Sequence, residues 1–579
     1  MNCPICKKNL DKFDESAANY HINRCMDTGI IYLSSDNEED CGKNDDIKAL
    51  DCTAADDKDE EIIEEFEEID SLNEDYLKED ISKLPIDIDN SPPQKKAKLS
   101  AFNILMSSNN DTNAYNEATA MSSKSIPKNQ RKTPFYKILE GMPIAVDAFM
   151  SGKIPGVEAY VLSHAHSDHY QSLSKNWDAG PIYCSIITAS LVHHICGVPK
   201  EYLRPLSNDT AHVIPSTNGV TVTLIDANHC PGSSIFVFEG KQSVHAGDSN
   251  FKSPWIGSDR IFRYLHCGDF RASPQHVNHP AIKGKKFDAV YLDTTYLNPN
   301  YSFPPQRQVI DACRDLVLAN LRGEMQVNES MLDMLKSGFN RVVSSAKNEE
   351  EEEKEEKKIS QDVLIVVGTY SIGKERIVKD VPIDTLTAVA KAINSKIFAD
   401  KRRQALLRNE KDEELNNLLT EDPYDSQVHI QGLGGVTMNT LPDYLSKFKK
   451  KYNRVIGLKP TGWTYKNASS SSSELDINIE YLLKRDLNRS FTYRNLFSTR
   501  GSNDTVACYG IPYSEHSSFT ELTCFALSID HVRMIATVNV GKQASRERMK
   551  KWFGVWHQER RKRLEKGLKQ VPARAKDYW

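Results

Sequence analysis

The amino-acid sequence predicts an α/β protein, and three observations carry that prediction. From Thr133 onward short apolar runs recur, each bounded by Gly, Pro or Asn: Ile144–Val146, Ala159–Leu162, Val220–Ile225, Ala289–Leu292, Val363–Val367, Val455–Leu458 and Met534–Val540. Runs of that length read as buried strands. Helical spacing lies between them, as in Gln308–Leu321 and Asp384–Ile393. Before Thr133 such texture is missing, so the chain divides into a polar front and a folded body.

Charge divides the chain in the same place. The 579 residues sum to −6, a value that says little about partners. Residues 35–92 carry 23 acids against 5 bases, a net of −18, and Glu349–Lys358 adds −4. The remainder is therefore +16, a basic body bearing an acidic tether and an acidic insertion. No stretch approaches the ~18 consecutive apolar residues of a membrane span, so no membrane partner is expected. The opening MNCPICKKNL lacks the charged and then apolar run of a secretory signal. Twelve Cys in 579 residues fall short of a disulfide scaffold, and the thiols are expected to stay reduced.

Taken from the front, residues 1–28 form a Cys/His cluster. Cys3-x2-Cys6 and His21-x3-Cys25 have the spacing of a closed tetrahedral zinc site. A finger this small has no core of its own, so one zinc ion would supply its folding free energy. It resembles the ubiquitin-binding zinc fingers found in DNA-repair proteins, which implies ubiquitin or a ubiquitinated repair factor as partner. Residues 29–130 read as a disordered acidic linker, since they cannot bury enough apolar surface to offset ordering entropy. Within it, Ile30-Ile31-Tyr32-Leu33 followed by acids has the pattern of a SUMO-interacting strand. Pro92-Pro93-Gln94-Lys95-Lys96-Ala97-Lys98 reads as a nuclear localisation signal, placing the protein in the nucleus.

The densest chemistry is Ser163-His164-Ala165-His166-Ser167-Asp168-His169, directly after the run Ala159–Leu162. Core histidines come singly, whereas here four ligand-type side chains crowd into six residues. Alternation lets His164 and His166 reach one metal while Asp168 and His169 turn to a second. Nitrogen and oxygen donors without Cys suit a catalytic Zn²⁺ site that keeps an open position. A second loop, Gly368-x4-Gly373-Lys374 after the run Val363–Val367, is almost a Walker A loop. Glu375 stands where Mg²⁺ coordination needs Ser or Thr, which argues against an ATPase. The backbone N–H groups with Thr369, Ser371 and Lys374 could still cradle a phosphate. His193, His194 and Cys196 read as ordinary core or surface residues.

H-x-H-x-D-H resembles the signature of the metallo-β-lactamase fold, and the likeness extends from about Pro134 to Trp556. Ala145-Val-Asp147-Ala-Phe resembles the family's first-strand motif, Ala227-Asn-His229-Cys-Pro-Gly its third, and His266-Cys-Gly-Asp269-Phe-Arg-Ala its fourth. Tyr291-Leu-Asp293-Thr-Thr-Tyr, the Gly368 loop, Pro460-Thr-Gly-Trp463 and Pro512-Tyr-Ser-Glu-His516-Ser-Ser resemble the β-CASP nuclease branch. Within it the chain is most similar to the DNA interstrand cross-link repair nucleases, relatives of Artemis and Apollo. RNA-processing members usually carry a His near the last strand, where this chain reads Ile535-Ala-Thr-Val538-Asn-Val540-Gly, with no His. Lys459 precedes Pro-Thr-Gly-Trp where the family commonly has Arg, so a point charge replaces a bidentate fork.

The resemblance implies a metallo-β-lactamase αββα sandwich with an inserted β-CASP α/β domain. The expected divisions are the finger at 1–28, the linker at 29–130, the sandwich at 131–310, the β-CASP domain at 311–500, the returning sandwich at 501–558, and a basic tail at 559–579. It implies one or two zinc ions in the catalytic site. His164, His166 and His229 would hold one, Asp168, His169 and His516 the other, with Asp269 bridging. Asp147 and Asp293 would orient ligands, and Asp168, His169, Asp269, Asp293 and His516 form the catalytic set. A competing motif, Val244-His245-Ala-Gly-Asp248, would replace Asp269 by Asp248. The reading takes Asp269, which makes Gly240–His266 an insertion, like Ser345–Gln361 and the serine tract Ser469–Glu474.

The implied activity is 5′→3′ DNA exonuclease digestion of 5′-phosphorylated single- or double-stranded ends, in repair of interstrand cross-links. The ions would supply hydroxide near neutral pH. Lys459, Ser517 and Ser518 join Thr369, Ser371 and Lys374 as expected phosphate contacts. Basic residues in Trp552–Lys569, interleaved with Trp556, could extend the DNA track or form a solvated basic helix. The alternatives are an RNA-processing β-CASP hydrolase and a non-catalytic repair adaptor recruited through the finger.

Overall fold

The apolar runs become strands of three sheets. The computed structural model describes residues 113–120, 132–248, 252–324, 360–374, 377, 389–462 and 478–579. The finger with Cys3, Cys6, His21 and Cys25, the SUMO-type and lysine-rich segments, Trp463, the serine tract and most of the glutamate-rich stretch lie outside them. Among the described residues no helix is long and apolar enough to cross a membrane.

β1 (Ile144–Val146), β2 (Ala159–Val161), β3 (Ile182–Ser185) and β4 (Leu203–Leu206) pair in that order as a parallel sheet. A mixed sheet runs β16-β9-β8-β7-β6-β5, from β5 (Ala211–Val213), β6 (Thr221–Asp226), β7 (Ser234–Lys241), β8 (Ile261–His266), β9 (Lys286–Leu292) and β16 (Asp530–Ala536). β5 to β8 are antiparallel, while β8, β9 and β16 are parallel. The two sheets stack, with Ile144, Val146 and Val161 against Leu224, Phe236, Phe238 and Tyr264. Alternate residues face outward. Ala145, Tyr160 and Leu162 pack on Ala189 and Val192 of helix Ile186–Cys196. Val237, Leu265 and Val290 share a core with helices Phe519–Ser528 and Gln543–Glu565. Where both faces are covered, as at β1 and β2, the strands read as unbroken apolar runs, while the edge strands β4 and β5 are largely exposed. The result is the expected αββα sandwich.

A second parallel sheet runs β12-β11-β13-β10-β14-β15, from β10 (Val363–Thr369), β11 (Ile397–Phe398), β12 (Leu419–Thr420), β13 (Val428–Gly432), β14 (Arg454–Pro460) and β15 (Val506–Ile511). Val363, Ile365 and Val367 meet helix Gln306–Leu321 on one side, and Leu364 and Val366 meet Leu441 and Leu445 on the other.

Four expectations differ from this architecture. The 310/311 division falls inside helix Gln306–Leu321, whose Val309, Ala312 and Leu316 pack on the second sheet. β15 lies beyond the expected end at 500 but pairs in parallel with β14, so the inserted domain runs to Ile511. Gly240–His266 is no independent insertion: Gly240 pairs with Phe262 in the β7–β8 ladder, and only the connection between the strands is long. Finally, 558/559 cuts helix Gln543–Glu565, and Trp556 is 0% exposed with its Nε1 donating to Thr523 Oγ1 at 3.1 Å. Trp556 is therefore core and not part of a DNA track, and Val571 and Trp579 of the supposed tail join the same core.

The linker also contains structure. Residues 113–120 form a helix with Ala114 and Ala118 buried. Tyr115 donates to Ala536 O at 2.8 Å and rests on Phe135 and Tyr136 at 4.8 and 6.0 Å between ring centres. Arg546 donates to Asn116 Oδ1 and Thr119 Oγ1. An acidic composition hides this because only one turn's worth of small apolar residues is needed to dock. Tyr115→Ala should lower stability by about 1–3 kcal/mol through the lost hydrogen bond and ring contacts; a melting temperature equal to wild type would refute the docking.

Two buried histidines away from the strand-end loops make stability depend on acid. His429 donates Nε2–H to Pro423 O at 2.9 Å and accepts from Tyr444 at Nδ1, and burial pushes its pKa down to about 4. Burial does the same to His531, again to about 4. Between about pH 4 and the ordinary value near 6.5 the unfolded chain binds more protons than the folded one, so stability should fall as pH falls through that window. Urea midpoints at pH 7 and pH 5 measure it, and His429→Gln should flatten the slope.

Candidate metal centre

Asp147 sets the first loop. It ends β1 with a left-handed backbone, φ 51°, and is buried. Its Oδ1 accepts the Ser163 N–H at 2.8 Å, and its Oδ2 accepts both Ser163 Oγ and His169 Nδ1 at 2.7 Å. Burial raises its pKa, but His169 and the Ser163 hydrogen bonds outweigh that and hold it ionised. Gly268 must be glycine here: its φ is +52°, and a Cβ would lie 2.8 Å from Ser163 Cβ.

Each ring has one nitrogen fixed by an outer partner, which leaves the other facing inward. His229 Nδ1 donates to Glu515 O at 2.8 Å, and His166 Nε2 reaches Ile372 O at 3.4 Å. His164 Nδ1 meets Ser163 Oγ at 2.9 Å, and that hydroxyl already donates to Asp147. The inner nitrogens then converge, His166 Nδ1 lying 2.9 Å from His164 Nε2 and 3.1 Å from His229 Nε2. Burial pushes His164 and His229 well below the ordinary imidazole value and His166 to about 4, so all three are neutral. Lone pairs facing one another at such distances repel unless a cation lies between them. The donor set fits a metal ion on that ground.

The second group is acidic. Asp269 Oδ2 lies 3.2 Å from His169 Nε2, 3.9 Å from His164 Nε2 and 4.0 Å from His516 Nε2. Asp168, two-thirds exposed at its side chain, is 3.4 Å from His169 Nε2. His516 Nδ1 donates to Asp293 Oδ2 at 2.9 Å, while Asp293 Oδ1 accepts from Thr295. Burial alone would lower both ring pKa values. Asp293 and Asp269 instead drive His516 up to about 9, and Asp269, Asp168 and Asp147 drive His169 upward too. Positive charge is favoured in this half, as proton or as metal.

Among the described residues, three overlapping groups could hold a metal ion: His164, His166, His229 and Cys230; His164, His169 and Asp269; and His229, Asp269 and His516. Asp248 is exposed on the β7–β8 connection, apart from all three. A cleft of about 490 Å³ opens on Asp168, His169 and Asp269 and is also lined by Val538, Lys542 and Ser545.

The expected phosphate contacts divide. Lys374 is 3% exposed, with its ammonium 3.0 Å from Pro460 O and 3.5 Å from the Tyr370 ring centre. Thr369 is buried against Arg403 and Tyr370 O. Ser517 Oγ donates to Phe270 O and accepts from Ala272 N–H, and Ser518 caps helix Phe519–Ser528. These four are structural, because the loops turn their polar groups inward to satisfy other backbone. Ser371 stays exposed and Lys459 half-buried, with burial lowering the lysine pKa. Residue-level reading gave no site role to Glu515, Ser163, Cys230 or Arg271, although all four lie inside the motifs; the partners of Glu515 and Arg271 come from more than a hundred residues away.

Asp147→Asn tolerates the left-handed backbone yet loses the acceptor of Ser163 and His169. Zinc affinity by chelator competition should fall about 10–100-fold; unchanged affinity would contradict the role assigned to Asp147.

Comparison with known proteins agrees with this geometry. The family described as DNA repair metallo-beta-lactamase matches residues 413–542. The DNA cross-link repair protein pso2/snm1 of Schizosaccharomyces pombe is 40% identical over 433 residues, covering 74% of this chain and 65% of that protein. The DNA cross-link repair protein SNM1 of Arabidopsis thaliana is 33% identical over 426 residues, 74% of this chain and 70% of that one. The human DNA cross-link repair 1A protein is 32% identical over 435 residues. The chain matches 75% of its own length to that protein but only 33% of the human one.

Proposed function

The chain belongs to the SNM1/Pso2 family of DNA cross-link repair proteins, metallo-β-lactamase nucleases, and from that premise we propose that it is a metal-dependent 5′→3′ DNA exonuclease acting on 5′-phosphorylated ends. The observation that carries the reading is Asp269, one carboxylate oxygen within 3.2–4.0 Å of three inward ring nitrogens. A carboxylate so placed can serve two cation positions, one with His164, His166 and His229, the other with Asp168, His169 and His516.

Zinc bound there would lower the pKa of water and neutralise charge developing on phosphorus. The chain's own part is orientation. Asp147 holds His169, Asp293 holds His516, and the Glu515 carbonyl holds His229, each through its Nδ1, so that Nε2 of every ring faces the centre, where a cation would take the place of a proton on His169 and His516. The cleft beside Asp168 and His169 admits a strand end, and Ser371 and Lys459 are the remaining accessible candidates for phosphate contact. The basic body would follow the DNA backbone with little sequence preference. Nuclear action, and recruitment by ubiquitin or SUMO through the front of the chain, belong to the same reading.

End-labelled single-stranded DNA, with and without a 5′-phosphate, tests it. Wild type should shorten the phosphorylated strand from its 5′ end and digest the dephosphorylated strand poorly. Asp168→Ala and His169→Ala should each reduce the rate by at least about a hundredfold, since both remove oriented ligands. Equal digestion of both strands would refute 5′-phosphate selection. Full activity in both variants would refute the metal mechanism, whereas cross-link survival unchanged by both variants would favour an adaptor.

A further inference from the structure

Glu515 lies between the metal ligands and the second sheet. Its backbone oxygen takes the His229 Nδ1–H at 2.8 Å, and its carboxylate Oε1 takes the Lys374 N–H at 2.6 Å. The side chain is buried, the residue being 4% exposed. Gly373 and Lys374 are both left-handed, φ +93° and +69°, a turn that wraps backbone N–H groups around an anion. The anion is this carboxylate: a Cβ on Gly373 would sit 2.7 Å from Glu515 Oε2. The same turn presents Ile372 O to His166, and Lys374 Nζ ties it to Pro460 at the end of β14. The loop after β10 therefore touches the two ligands whose lone pairs face each other, His166 directly and His229 through Glu515.

We propose that Glu515 is a positioning residue through which the inserted domain sets the geometry of the His164–His166–His229 group. The phosphate-type turn of the second domain grips the Glu515 side chain and so fixes the carbonyl that selects the His229 tautomer. Its catalytic consequence rests on the nuclease reading above; its consequence for metal binding does not. A carboxylate of the chain itself thus occupies the turn that its glycine spacing marks as an anion cradle.

The test compares the full chain as wild type, Glu515→Gln, Glu515→Ala and Gly373→Ala. Each is measured for Zn²⁺ affinity by chelator competition, for amide exchange of residues 368–374, and for kcat and KM on 5′-phosphorylated single-stranded DNA. Glu515→Ala and Gly373→Ala should weaken zinc binding about 10–100-fold and speed exchange in the loop. kcat should fall with affinity, while KM stays within about threefold. Glu515→Gln keeps an oxygen for the Lys374 N–H and should recover most of both losses. Wild-type zinc affinity in Glu515→Ala and Gly373→Ala overturns the proposal, as does weakened affinity with unchanged loop exchange. Should Glu515→Ala fail to fold, Gly373→Ala decides, because it displaces the carboxylate while leaving Glu515 in place. A wild-type chain that binds zinc but does not cut DNA refutes the nuclease reading alone, and affinity and exchange then judge the coupling.

Discussion

Arg271 is the constraint on which the site depends. Its guanidinium is 1% exposed and every edge is engaged: Nε with both oxygens of Glu521, Nη1 with Ser514 O, and Nη2 with Pro304 O. Those partners are the first turn of helix Phe519–Ser528, the neighbouring loop bearing His516, and, some two hundred residues earlier, the lead into helix Gln306–Leu321. Arg271 itself follows Asp269 by two residues. A single buried cation thus holds the Asp269 loop, the His516 loop and the start of the inserted domain in register. Removing one partner of such a pair costs about 3–5 kcal/mol, because the other charge is left buried.

With the loops so held, electrostatics divides the centre into two halves. Around His166 burial outweighs the pull of Asp168 and Asp269 and keeps protons off nitrogen. Around His169 and His516 the neighbours are Asp147, Asp168, Asp269 and Asp293, which attract positive charge. Asp269 belongs to both halves. The fold makes this possible by delivering each group from the end of a different strand: Asp147 after β1, His164 to His169 after β2, Asp269 after β8, Asp293 after β9 and His516 after β15.

Much of this was legible in the chain. Strands with both faces covered appear as apolar runs, and β1 coincides with the run Ile144–Val146 residue for residue. Local motifs keep their residues together, so H-x-H-x-D-H and His229, Asp269 and His516 arrive at one place. The Phe-Arg-Ala that favours Asp269 over Asp248 contains Arg271, and Asp269 lies within 4.0 Å of three ring nitrogens. The helix at 113–120 was not legible, since its docking depends on Arg546 and Ala536 more than four hundred residues away. Strand β15 was likewise assigned to the wrong side of a boundary, because sheet membership is decided by the partner strand and not by the strand's own composition.

The sequence by itself determined the α/β class, the ligand types and the acidic–basic division, because periodicity, short-range spacing and charge are local properties. Only the tertiary structure decided what fills each cradle. Gly368 to Lys374 has the glycines of a phosphate loop, and a buried carboxylate from 141 residues away takes the place of the phosphate. Lys374, Ser517 and Ser518 carry donors suited to DNA, yet burial commits them to the protein's own polar groups. A buried hydrogen-bonding group must find a partner wherever the fold brings one, and that partner is set by three-dimensional proximity, which no local pattern records.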